Sequence, residues 1–175
     1  GKNEAQLASE ATAAANAKDM ERAFKLAGAA IGAEPASPLH WALYARFVTR
    51  GDLPDGQAYV LRERASHAAY AAYQRATTPQ DKAAALMLLS ETLAAREMWR
   101  DALDASSAAL ALHEDSGWRQ RHARLRAEHG FRVLDYSVDS DAAAPRACFT
   151  FSEPLARRAD FSPYVATAGA ASTAL

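Results

Sequence analysis

Five histidines and one cysteine are the side chains in this sequence best suited to metal or nucleophile chemistry: His40, His67, His113, His122, His129 and Cys148. His122 and His129 share a helix face, with carboxylates such as Asp135 downstream. Zinc asks for two helical ligands one turn apart plus a third. A spacing of seven puts these imidazoles two turns apart, too far for one ion. The expectation is that they line a seam between the last helix and the β segment behind it. Asp135, Asp139 and Asp141 have a calcium-loop rhythm but lack the turn glycine and the distal glutamate. Ala142–Ala144 and Pro145 stand there instead, as in a solvated hairpin turn. Cys148 sits in an apolar stretch and alternates with Thr150, which suggests a buried thiol of structural use. Arg119, Arg121, Arg124, Arg126 and Arg132 form a dense basic run. No aromatic platforms interleave it, so pairing with Glu128 and the aspartates after Val133 is expected rather than nucleic-acid binding. No G-x-S-x-G elbow, phosphate loop or H-E-x-x-H occurs. The expectation is a non-enzyme with no catalytic, cofactor-binding or metal residues of its own, hence no cofactor.

The elements around these residues follow from composition. Of 175 residues, 50% are hydrophobic, alanine prominent among them, and the net charge is -1. The mean hydropathy of -0.26 and pI near 6.6 argue against a duplex nucleic-acid binder, which is usually basic. Alanine loses no side-chain entropy on entering a helix, so close helix packing is favoured over a bulky core. One cysteine forbids an intrachain disulfide. No apolar run approaches the roughly 20 residues of a membrane span. Gly1-Lys2-Asn3-Glu4 lacks the apolar core of a signal peptide, as in a protein without one or in a mature or excised segment.

Periodicity predicts about seven helices, mainly in pairs, over residues 1–130. Leu7, Ala11, Ala14 and Ala15 make a narrow stripe; Asp19 caps a second helix buried through Ala23, Leu26, Ala27 and Ala30, and Pro35 ends it. Ser37-Pro38 starts a third helix, His40–Val48, dense in large residues and expected to be the most buried. Gly51–Pro54 breaks the chain. A long helix over 57–76 would face Tyr59, Val60, Ala68, Ala71 and Ala72 inward. Thr78-Pro79-Gln80-Asp81 starts a fifth helix with Leu86, Leu89 and Leu93 on one face. Trp99, Ala102, Leu103, Ala109 and Leu110 belong to the sixth. The last, over 116–128, shows Trp118, His122, Leu125 and His129 on one side, with Gly130 as C-cap. Ala23, Ala30, Pro35, Leu86, Leu89, Ala102 and Ala109 fall on tetratricopeptide positions; the consensus aromatics do not.

After Gly130 the period becomes two. Leu134, Tyr136 and Val138 alternate as a half-buried strand, Asp139–Pro145 forms a loop, and 146–151 makes a second strand with Phe149 and Phe151 together. Phe161–Val165 reads as a third extended piece and 166–175 as a mobile tail. An immunoglobulin-type sandwich takes about seven strands in about 100 residues. Residues 131–175 thus hold only the opening strands, resting on the last helices, continuing beyond this chain, or both.

Gly130–Asp141, Pro145-Arg146-Ala147-Cys148 and Phe151-Ser152-Glu153-Pro154-Leu155 resemble the amino-terminal region of bacterial alpha-2-macroglobulin-like proteins. There a tetratricopeptide-like segment precedes β-sandwich macroglobulin domains. The resemblance covers about Ala83–Val165 and is architectural before that. It implies a periplasmic protease trap, and for this part of it a non-catalytic interaction or spacer module. The partners would be proteins, envelope proteins among them, with neither nucleic acid nor membrane insertion. The family's thioester joins a cysteine to a glutamine three residues on. Phe151 holds that place after Cys148, so Cys148 is not that cysteine. The alternative is a freestanding cytoplasmic tetratricopeptide-like scaffold unrelated to protease inhibition.

Overall fold

Helix starts in this chain follow capping chemistry closely. The computed structural model describes residues 3–50, 53, 56–141 and 145–164. Among them are α1 (Glu4–Asn16), α2 (Met20–Ala33), α3 (Pro38–Arg50), α4 (Ala58–Arg75), α5 (Pro79–Ala94), α6 (Trp99–Leu112) and α7 (Ser116–His129). Strands β1 (Val133–Asp139) and β2 (Arg146–Phe151) follow. The fold is mainly α, a tetratricopeptide-like run of helix pairs, then a small antiparallel sheet. Its contacts divide it into Gly1–Gly130 and Phe131–Leu175.

Asp19 and Thr78 cap α2 and α5 as expected, accepting from the amides of Arg22 and Asp81. Asn3 adds a full capping box with Gln6 at α1. The α1–α2 and α5–α6 turns are copies of one another. The amides of Asp19 and Met98 reach back to the carbonyls of Ala14 and Leu93, at 2.9 and 3.1 Å. Lys18 and Glu97 take the left-handed place in each, with φ of 62° and 61°. Glycine is the usual occupant of that place.

Small residues fill the centre. Ala11, Ala23, Ala27, Ala30, Ala45, Ala65, Ala69, Ala83, Ala102 and Ala109 are all 0% exposed. The largest fully buried side chains are only Thr92 and Ser106. Alanines let helix backbones approach closely, and larger groups pack around that contact. Phe24 lies 5.3 Å from Tyr44 and 6.1 Å from Phe47, ring centre to ring centre. Polar side chains also cross between helices: Ser90 Oγ donates to the Ala102 carbonyl at 2.7 Å.

Two expectations about burial are corrected, and the cap at Gly130 is present with a different backbone. The helix richest in buried positions is α5, not α3, because α5 is flanked by both α4 and α6 and buries eight residues, Leu86, Met87, Leu88 and Leu93 among them. In α4, Tyr59 and Val60 point outward, and Leu61, Ala65 and Ala69 join Ala68 and Ala72 inside. Gly130 caps α7 through its amide, 2.9 Å from the Arg126 carbonyl, but with φ -73° it is not left-handed. Glycine is needed there for space, since a Cβ would lie 2.4 Å from that carbonyl oxygen.

In the second unit β1 pairs with β2, Tyr136 opposite Phe149 and Asp139 opposite Arg146, with an irregularity between Val133 and Asp135. Tyr136 stacks with Phe149 at 6.4 Å, and Phe131 with Phe151 at 5.1 Å. Leu134, Tyr136 and Val138 are exposed rather than half-buried, because the two-stranded sheet offers no second layer to cover them. Ser162–Tyr164 is a 3-10 turn, not a third strand. Its start is held by Asp160, whose carboxylate accepts from the Ser162 amide at 2.9 Å. The Gly51–Pro54 break, apart from Leu53, and the expected tail lie outside the described residues.

Candidate functional site

The residues with the most chemical promise turn out to be fasteners. Within the helical unit, His122 and His129 both meet α6. Ser106 Oγ lies 2.8 Å from His122 Nδ1 and 2.9 Å from the Leu103 carbonyl. A hydroxyl has one proton; with it on that carbonyl, the His122 Nδ1–H is the donor to Oγ. Ser106 is 1% exposed, so this serine–histidine pair offers no nucleophile to a substrate. His129 stacks flat on Trp99, and His113 meets Trp118 edge-on at 5.8 Å. Trp118 and Leu125 complete the inward side of α7, whose other residues are exposed.

His40 is 8% exposed, and its Nδ1 has no hydrogen-bond partner, with Glu34 Oε2 at 3.7 Å. His67 is exposed. Among the described residues no three histidine, cysteine or acidic side chains gather as metal ligands would. Asp135 accepts from the Tyr136 amide, and Asp139 faces Arg146 at 3.7 Å. Cys148 is exposed, not buried, because its register opposite Ser137 puts it on the polar side of the hairpin. Two members of the basic run pair with acids of the helical unit: Arg119 bonds Glu114, and Arg121 reaches across to Glu91 on α5.

A more informative surface lies along α3. Besides touching α2 and α4, α3 touches both α1 and α5, so α1, α3 and α5 adjoin on one side of the unit. Two hollows flank α3 there. One, about 400 Å³, is lined by Thr12, Ala15, Asn16, Met20, Leu43 and Phe47. The other, about 310 Å³, has a floor of Ala42, Ala72, Ala76, Ala84 and Ala85, with Leu39, Leu88 and Asp81 at its sides. Arg46 lines both. The reason is helical geometry: Leu39 and Arg46 face outward along one stripe with Leu43 half-buried between them, while Ala42 and Ala45 turn inward. Leu39 is 73% exposed, an aliphatic side chain standing in water beside an alanine-floored hollow. The acid nearest this stripe in the second hollow, Asp81, already accepts from Thr78 Oγ1 at 2.6 Å.

The sequence reading passed over Leu39 and Arg46. Their four- and three-residue spacing from Leu43 along α3 gives a shared side of the helix but not the hollows beside it. That side was masked by the density of large residues in the same segment.

No family model matches the chain, and no curated protein matches it either. No helix among the described residues is long and apolar enough to cross a membrane.

Proposed function

We propose that this chain is a non-catalytic protein-docking module whose working surface is the α1/α3/α5 side, centred on Leu39, Leu43 and Arg46. The observation that carries this reading is the pair of apolar hollows either side of one exposed arginine. Helical repeats bury a continuous core and leave such a face to partners. Exposed aliphatic groups beside a cation suit a protein ligand better than a small polar substrate. The module stands ahead of a macroglobulin-type β domain in a periplasmic protease inhibitor. Support for that placement is the resemblance over 130–155 together with the apolar, uncovered side of the β1–β2 hairpin.

A photocrosslinking residue at position 39 tests the docking face, with one at the exposed Tyr59 position as reference. Capture of a defined envelope protein from position 39 alone is expected. Equal capture from both positions, or capture only from 59, contradicts the reading.

A further inference from the structure

We infer that the α3 stripe takes an extended peptide in which one acidic side chain lies between two aliphatic ones: the acid on Arg46, an aliphatic residue in each hollow. This rests on the docking reading above and adds the chemistry of the ligand.

Charge is the first argument. Arg22, Arg119, Arg121 and Arg146 each lie against a carboxylate of this chain. Among the described residues no carboxylate is bonded to the Arg46 guanidinium, and the acid that lines its second hollow is engaged by Thr78. A guanidinium presents its donors as a planar fork that fits a carboxylate. The walls to either side are mostly alanine, leucine, methionine and phenylalanine, with Ser37, Asp81, Thr12 and Asn16 among them, so apolar surface flanks the guanidinium on both sides.

Spacing is the second. Neighbouring helices pack about 8–10 Å apart, so hollows on the two sides of α3 are about that far from one another. A polyproline II chain turns once in three residues and advances about 9 Å. Side chains three apart therefore point the same way and reach both hollows. The acid stands at one of the two positions between them, about a third of a turn round the peptide, and its long side chain bends back to Arg46 on the α3 ridge. Leu39 is covered by the first aliphatic residue.

Fluorescence anisotropy on the whole chain tests this with a labelled peptide built around Leu-Ser-Glu-Leu. Matched peptides carry glutamine for glutamate, or serine for both leucines. Saturable binding is expected, weakening as salt rises. Glutamine in the peptide and Arg46→Ala in the protein should each weaken it about tenfold or more, with no further loss on combining them. Leu39→Ser should weaken it as well, while Arg64→Ala, which lies in a different hollow, leaves it unchanged. Circular dichroism confirms that each variant is folded. If the glutamine peptide binds as tightly as the parent, the acid assignment is wrong and the docking face still stands. If binding ignores both Arg46→Ala and Leu39→Ser, the proposed seat is wrong. Absence of saturable binding up to about 1 mM overturns the inference outright.

Discussion

His129 lies parallel to Trp99, ring centres 3.6 Å apart and planes inclined by 4°. The first residue of α6 thereby holds the last turn of α7, and two turns earlier on α7 His122 is held by Ser106. Both imidazoles invited a functional reading and both secure α7, which buries no residue fully. A helix with so little apolar burial depends on such directed contacts more than α2 or α5 does.

Ser106→Ala therefore leaves His122 Nδ1–H without its acceptor in a partly buried seam. A loss of about 1–3 kcal/mol is expected in urea unfolding. His122→Ala should cost a similar amount, and the double variant clearly less than the two losses added. Strict additivity would show that the pair does not couple.

Glycines inside α2 and non-glycine residues in the two copied turns are open to exchange. A Cβ at Gly28 or Gly32 of α2 meets nothing within 4 Å. Alanine at either should raise stability by about 0.5–1 kcal/mol through helix propensity. Lys18→Gly and Glu97→Gly relieve left-handed backbone in the two copied turns and should also stabilise, by about 1 kcal/mol at most. Thermal unfolding of the four variants measures this; a lower melting temperature in the Gly28→Ala chain would contradict the reading of open space.

Gly130→Ala has the opposite sign. The new methyl would meet the Arg126 carbonyl oxygen and carbon at 2.4 and 3.2 Å, and backbone must shift to admit it. A cost on the order of 1–3 kcal/mol is expected, with faster amide exchange at the end of α7. Unchanged exchange at 126–130 would show that the turn adjusts freely.

Asp160 gives a pH prediction. The hydrogen bond from the Ser162 amide, joined by one from the Ser162 side chain, holds its carboxyl below the usual aspartate range. A carboxyl depressed in the folded chain stabilises it above the unfolded value and loses that contribution as pH falls through the folded value. The Ser162–Tyr164 turn should therefore loosen only at acid pH below ordinary aspartate titration. Carboxyl carbon shifts followed by NMR test this. An Asp160 midpoint equal to that of an unstructured aspartate would sink it, and Asp160→Asn should remove the acid transition.

Legibility in the sequence tracked how local the physics was. Asp19, Thr78 and the alternation of 146–151 are signals satisfied within a few residues, and the elements they predict are present. Ala23, Ala30, Ala102 and Ala109 were placed from spacing alone and are each fully buried. What failed needed knowledge of neighbours. Whether Tyr59 faces inward depends on what α4 packs against. Whether Cys148 is covered depends on its register with β1. His122 and His129 were put on one helix face correctly, but the contacts they make with Ser106 and Trp99 of α6 are not visible along the sequence. Arg46 matters only because hollows open on both sides of it, which no periodicity along α3 reveals.

The alanine interior sets what this molecule tolerates. Large side chains such as Phe47, Leu61, Met87 and Leu88 are buried beside the helix crossings, but at the crossings themselves alanine stands, wholly enclosed. Enlargement is the danger. A single valine at Ala23 or Ala102 would wedge two backbones apart, and the displacement would be passed along the row of helices. Residues 39 and 46, both exposed, can meanwhile vary without disturbing the frame, leaving ligand preference free to drift over a scaffold that is not.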